Sequence, residues 1–413
     1  MREYWWAAVA SVARQVGDLD LAEDAVQDAS VLAVERWPVA GIPDNPRAWL
    51  IGVARHKAID RLRREARRTG KELSAVQQSM PQAPRAGTEA MGDDELALIF
   101  GCCHPALGRE ARLALTLRSV AGLTTAEVAA VFLVPEATMA KRLIRAKQKI
   151  RHAGIALRVP ARDDLPARLG DVLRVIYLIF TQGHNTTAGP GLVRADLCAT
   201  AIRLARRVAE LVPGEPEVAG LLALLLLTDA RRPARTTPGG DLVLLEDQDR
   251  ALWDQAMIAE GDAVLRHALA EGRPGPYQLQ AAIAACHSTA PTSAGTDWRE
   301  IAALYAELIR YEPTAVVEAN RAIAVAMAEG PAAGLVILDA ISHHPQLRSW
   351  PQLHMAQADL LRRLGRTTDA IARYRSALEL EPAPAERAFI HARLRMLTGP
   401  SAADGKTASG PDS

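Results

Sequence analysis

Gly122-Leu-Thr-Thr-Ala-Glu-Val-Ala-Ala-Val-Phe-Leu-Val-Pro135, running on into Glu136-Ala-Thr-Met-Ala-Lys-Arg-Leu-Ile-Arg-Ala-Lys-Gln-Lys-Ile150, decides the fold. Thr124 or Thr125 caps a helix, and Glu127 stands where a capping box needs its carboxylate. Phe132-Leu133-Val134 is a tight turn, with Pro135 as the first residue of the next helix. In that helix Leu143 and Ile150 face inward, while Lys141, Arg142, Arg145, Lys147 and Lys149 fan outward. Two helices across a tight turn, the second one basic, predict a helix-turn-helix.

Working outward, a second pair of helices stands some ninety residues earlier. Leu21-Ala-Glu-Asp-Ala-Val-Gln-Asp28 leads through Glu35-Arg-Trp-Pro38 into Asn45-Pro-Arg-Ala-Trp-Leu-Ile-Gly-Val-Ala-Arg-His-Lys-Ala-Ile-Asp-Arg-Leu-Arg-Arg64. The net charge of +1 conceals strong segregation. Residues 15–35 hold six acids and no base, whereas 137–151 hold six bases and no acid. Solvated helices usually mix signs, so basic blocks of this kind imply contact with a polyanion. The acidic helix would repel phosphates and suits a protein partner with basic helices.

At 413 residues the chain needs two to four domains. Its composition, 49% hydrophobic and 4% aromatic, favours packed helices over sheets, so the fold class is all-α. Cys102, Cys103, Cys198 and Cys286 include no Cys-x-x-Cys pair, which argues against a disulfide framework or structural zinc. Trp5, Val9, Val12 and Val16 share one helical stripe, so the apolar opening reads as a core helix rather than a signal peptide. Leu221–Leu227 is too short to span a bilayer. A soluble, cytoplasmic protein with no membrane partner is expected.

The expected organisation is a helical module over 1–68, a flexible linker over 69–92 and the helix-turn-helix module over 93–155. A helical extension follows over 163–290, then helical repeats over 291–397 and a disordered tail over 398–413. In the first module a helix starts on Asp20 and Pro38 stops it at Trp37; Pro46 opens the basic helix. In the second, Asp93 caps one helix and Gly108 starts another. Tyr305–Leu308–Pro313, Ile337–Ala340–Pro345 and Tyr374–Ala377–Pro382 share internal offsets and fit hairpin repeats of the tetratricopeptide kind.

A recognition helix needs short side chains at its leading end to reach base edges and cations along its flanks to anchor phosphates. Glu136, Thr138 and Met139 fill the first role; Lys141, Arg142, Arg145 and Lys147 fill the second. On the earlier basic helix, Arg55, Lys57, Arg61, Arg63 and Arg64 could track a phosphate backbone, and Trp49 and His56 could stack on unpaired bases. The loop ending at Asn45 could accept an extruded base.

Taken together, these residues resemble the extracytoplasmic-function sigma factors of bacterial RNA polymerase, over about residues 1–155. Asp20–Asp28, Asn45–Leu50 and Ala54–Arg61 look like that family's region two, and Thr124–Lys149 looks like region four. The remainder is similar to a subgroup with a long extension ending in tetratricopeptide-like repeats. The resemblance implies partners: core RNA polymerase, through its β′ clamp helices and β flap, and promoter DNA. Asp24, Gln27 and Asp28 would dock on the clamp helices. Asn45, Trp49, Arg55, His56, Lys57, Arg61, Arg63 and Arg64 would hold the melted −10 element. Glu136, Thr138, Met139, Lys141, Arg142, Arg145 and Lys147 would read the −35 element.

The extension contributes no catalytic set: His184, Asn185 and the Thr186-Thr187 pair lack a nucleophile and base. The acidic block lacks the spaced ligands and central Gly of a calcium loop. Asp241, Leu244, Glu246, Asp247, Asp249 and Trp253 instead read as an interdomain or polymerase contact. No enzyme, cofactor or metal is expected, and the repeats would carry a protein partner. The competing reading is a helix-turn-helix operator-binding regulator with a repeat-type sensor, which leaves the acidic and basic pair at 20–64 without a use.

Overall fold

The computed structural model describes residues 2–68, 89–132, 134–184, 194–237 and 243–398, and among them the fold is all-α, with eighteen helices. Residues 69–88 of the linker expected over 69–92, Leu133, Asn185–Thr187, Asp241 and residues 399–413 of the expected tail lie outside the described residues, and residues 89–92 are helical rather than linker. The chain divides into two compact units, Met1–Pro213 and Gly214–Ser413. Of the stretch 163–290, residues 163–213 fall in the first unit and 214–290 in the second.

The first unit opens with α1 (Arg2–Val16), α2 (Leu19–Ala40) and α3 (Pro46–Arg68), which pack on one another. Val9 and Val12 are fully buried, and Trp5 and Val16 are half-buried, so the apolar opening is a core helix. The cap of α2 is Asp18 rather than Asp20: its carboxylate accepts from the Leu21 N–H at 3.1 Å. Nor does Pro38 stop the helix, which continues to Ala40. A proline this near the end removes one backbone bond on an exposed turn, where water can satisfy the freed carbonyl.

Next come α4 (Glu89–Cys102), α5 (Arg109–Ser119), α6 (Thr125–Val131) and α7 (Glu136–His152). Helix α4 begins four residues before the expected cap at Asp93, because Glu89-Ala-Met91 are good helix formers. The expected capping box is present: Glu127 N–H donates to Thr124 Oγ1 at 3.1 Å, and Thr124 N–H donates to Glu127 Oε2 at 2.6 Å. Pro135 is the residue before α7 rather than its first.

The two N-terminal bundles are tied together. Trp6 of α1 reaches the second bundle, where the Arg118 guanidinium lies 5.0 Å from its ring. It also lies against Gly122, whose φ is +71°; a Cβ there would stand 2.0 Å from Trp6 Nε1. Arg14 pairs with buried Asp94. Lys147 of α7 lies 2.8 Å from Glu23 and 3.0 Å from Asp20, and Arg151 lies 3.1 Å from Asp18. Helices α8 (Leu165–His184) and α9 (Ala195–Leu211) complete the unit, with buried faces built on Val172, Ile176, Leu197 and Leu204.

The second unit is built around α10 (Pro216–Asp229), whose Leu221–Leu227 run is buried on every side between α11 (Gln255–Ala270) and α12 (Pro276–Ser288). Glu217 joins α10 to the start of α12 by accepting from the Tyr277 and Gln278 N–H groups at 3.0 and 3.1 Å. A helical stack follows: α13 (Trp298–Tyr311), α14 (Ala315–Glu329), α15 (Pro331–Ile341), α16 (Pro351–Arg363), α17 (Thr367–Glu379) and α18 (Pro384–Thr398). No helix among the described residues is long and apolar enough to cross a membrane.

The expected repeat falls on α13, α15 and α17, but one register is shifted. Tyr305 and Leu308 match Tyr374 and Ala377, whereas the middle copy presents Leu338 and Ile341 inward and leaves Ala340 exposed. The aligned positions one turn earlier are Ile301, Gly334 and Ala370, all buried. Gly334 is small because α14 crosses close by: a Cβ there would meet Ala322 O at 2.4 Å.

Candidate functional site

Three surfaces of the first unit carry the residues singled out from sequence. On α2, Asp24 and Gln27 are exposed and Asp28 is half-buried. The same face continues through Val31 (54% exposed), Val34 (64%) and Val39 (90%). Exposed valines in register with the acids make a mixed acidic and apolar stripe. Sequence reading missed the valines, although their helical spacing from Asp24 and Asp28 was the available signal.

On α3 the candidates separate. His56, Arg63 and Arg64 lie on the solvent stripe, with Arg67 one turn on. Arg61 instead turns back to α2, its two terminal nitrogens each 2.9 Å from a carboxylate oxygen of Asp24 or Asp28, and Lys57 lies 4.0 Å from Asp28. These two cations are thus held by the acidic helix rather than presented freely. Arg55 is half-buried, with its Nε enclosed. Trp49 is half-buried and meets Trp37 edge-on at 5.6 Å, so it is partly a packing residue. Asn45 is exposed and caps α3 by accepting from the Ala48 N–H at 2.9 Å.

On α7, Glu136, Thr138, Lys141, Arg145 and Lys149 are exposed. Thr138, Lys141, Arg142, Arg145 and Lys149 line a groove of about 340 Å³ against Leu107, Gly108 and Ala111. Arg142 reaches Glu110 at 2.9 Å and lies 5.7 Å from the Phe132 ring. Two expectations are corrected. Met139 is 0% exposed and belongs to the core beside Leu143, Ala146 and Ile150, because its position falls on the inward stripe of the helix. Lys147 is 12% exposed and locked between Asp20 and Glu23. Burial disfavours its charge, but Glu23 and Asp20 outweigh that and hold its pKa above the ordinary lysine value.

The acidic block of the extension does not behave as a unit. Glu246 and Asp247 are exposed, Leu244 is half-buried, and Asp249 caps a short turn by accepting from the Ala251 N–H at 2.9 Å. Trp253 is buried, with the Arg250 guanidinium 4.4 Å from its ring centre; Arg250 donates to the His287 and Ala290 carbonyls at 2.8 Å each. These contacts are internal to the second unit. Sequence reading also missed Arg112, Asp171, Arg194 and Arg203, whose ion pairs join helices far apart along the chain.

Residues 6–68 match the family described as Sigma-70 region 2, and residues 97–150 match Sigma-70, region 4. Residues 168–269 match a family of unknown function, DUF6596. The chain is 42% identical over 392 residues, covering 94% of its own length and 92% of the other, to "Uncharacterized protein R00370" of Rhizobium meliloti (strain 1021). No solved structure matches.

Proposed function

We propose that this chain, which belongs to the sigma-70 family, is a sigma factor of the extracytoplasmic-function type that works in the cytoplasm as the promoter-specificity subunit of RNA polymerase. The observation that carries the reading is one unit bearing an exposed acidic and apolar stripe on α2 together with two separate cationic faces on α3 and α7. Asp24, Gln27 and Asp28, with Val31 and Val34, would dock on the β′ clamp helices of the core enzyme. His56, Arg63 and Arg64, with Trp49 at the edge, would hold the melted −10 strand, where cations track phosphates and rings stack on bases. Thr138, Lys141, Arg142 and Arg145 would read the −35 element in the major groove, as short side chains and bidentate arginines do. Region four would also meet the β flap.

In this reading the protein does no covalent chemistry of its own. The helical stack of the second unit, read as tetratricopeptide-like hairpins, would modulate activity by holding a protein partner. The test is run-off transcription with purified core polymerase on genomic fragments. Initiation at discrete sites is expected only when the chain is present, and charge reversal at Asp24 with Asp28 should abolish it together with core binding. Binding of the chain to operators without core polymerase, and no transcript with it, would overturn the reading.

A further inference from the structure

The helix-turn-helix has a weak component. Helix α6 is seven residues long, under two turns, and a helix that short does not hold itself in water. Its capping box depends on one carboxylate, Glu127, and that carboxylate is engaged on both oxygens. Oε2 accepts from the Thr124 N–H at 2.6 Å, while Oε1 accepts from Arg194 Nη1 at 3.1 Å. Arg194 lies just before α9, outside the helix-turn-helix and within the segment that matches the family of unknown function. Its other nitrogens donate to Asp196, Nη2 at 2.9 Å and Nε at 3.4 Å. Burial works against the Asp196 charge, yet Arg194 and the backbone amides of Leu197 and Asp196 hold its pKa below the ordinary carboxylate range. Asp196, Arg194, Glu127 and Thr124 thus form one continuous polar relay that ends on the cap of α6.

Further ties run the same way. Asp171 of α8 pairs with Arg112 of α5, and Arg203 of α9 pairs with Glu95 of α4, where Glu95 is largely buried. Arg168 of α8 donates to the Phe100 carbonyl at 3.5 Å. Helices α4, α5 and α6 therefore each receive a polar tie from α8, from α9 or from Arg194 at the cap of α9. Helix α7 packs on α5 and α6, so the helices that set its orientation are the ones being held.

We propose that the packed helices α8 and α9 are a brace for the helix-turn-helix, and that Arg194 is a positioning residue for reading the −35 element, acting through Glu127. The inference rests on the promoter-reading function proposed above. It assigns the opening part of the DUF6596 segment to the DNA-reading unit rather than to a separate sensor. Charge-assisted hydrogen bonds that fix a carboxylate rotamer supply geometry as well as energy. With Arg194 26% and Glu127 37% exposed, solvent screening limits the energetic part to a modest effect.

The test uses the full chain with core polymerase and a duplex that the wild-type chain enriches from a randomised pool. Arg194→Ala should weaken that binding about fivefold, a discounted charge-assisted bond, and raise amide exchange across residues 124–131. Arg194→Lys should restore most of both, and binding to core polymerase alone should not change. Glu127→Gln keeps a capping side chain but loses the charge, so in that background Arg194→Ala should have little further effect. Unchanged exchange over 124–131, or fully additive effects of the two substitutions, would overturn the brace. A wild-type chain that enriches no duplex would overturn the promoter reading and the role assigned to Arg194, while the exchange experiment would still report on the brace itself.

Discussion

The two units are held together by different physics. In the first, ion pairs join helices distant along the chain: Arg14 to Asp94, Arg61 to Asp24 and Asp28, Arg112 to Asp171, Lys147 to Asp20 and Glu23, Arg203 to Glu95. In the second, Arg232–Asp229, Arg266–Asp262, Arg310–Glu307, Arg321–Glu318, Arg362–Asp359 and Arg366–Asp369 each join residues three or four apart. Apart from Arg232–Asp229, where Asp229 is buried at the end of α10, pairs of that kind support a single helix by a few tenths of a kcal/mol and say nothing about its neighbours. The stack instead takes its register from apolar clusters such as Ala358, Tyr374, Ala377 and Ile390. The first unit therefore sets its internal geometry with the same kinds of groups that it would offer to DNA and polymerase. Salt and polyanions can compete for them there, and apolar packing in the second unit is indifferent to both.

The largest effect should come from the apolar side of the contrast. Tyr374→Ala empties a fully buried site and should destabilise the second unit by about 3–5 kcal/mol in urea unfolding, with no change on adding salt. Next comes acid. Burial, then the neighbouring Arg231 and Arg250, push the His287 pKa down to about 4, well below its unfolded value. The unfolded chain then binds the extra proton first, so stability is intact above about pH 6.5 and is lost as pH falls towards 4, by on the order of 3 kcal/mol. His287→Phe should flatten that limb of the urea midpoint against pH.

Smaller again, Lys147→Met leaves Glu23 largely buried without its cation and should cost the first unit about 2 kcal/mol at low salt. The difference from wild type should shrink in 1 M NaCl, to which roughly a threefold shorter screening length corresponds. A salt-independent difference would break the comparison, since the pair would then be as shielded from salt as the apolar packing of the second unit. Arg366→Ala should change the second unit by less than about 0.5 kcal/mol, because its pair with Asp369 is exposed and local.

Features decided by neighbouring residues were legible in the sequence. The Thr124–Glu127 box, the start of α5 after Gly108 and the inward Leu143 and Ile150 all follow from spacing within one or two turns. What escaped depends on partners far away. Lys147 looks like any other flanking cation until α2 is placed beside it. Met139 looks accessible only if its inward register, four residues before Leu143, is overlooked. The division after Pro213 falls on Pro213-Gly214-Glu215-Pro216, which reads as an ordinary turn between two helices and does not by itself tell a domain boundary from a loop. The repeat slipped in its middle copy because Gly334, chosen for close approach to α14, gives no side chain to align on.

The seam at Trp6 and Gly122 bears on how such a chain can diversify. An indole filling the space that a β-carbon at residue 122 would need makes positions 6 and 122 sterically coupled. Swapping one half for that of a paralogue would bring in one member without the other. Hybrids of this chain should tolerate exchange only when the donor keeps glycine opposite the indole or has lost both, a match required at two sites 116 positions apart.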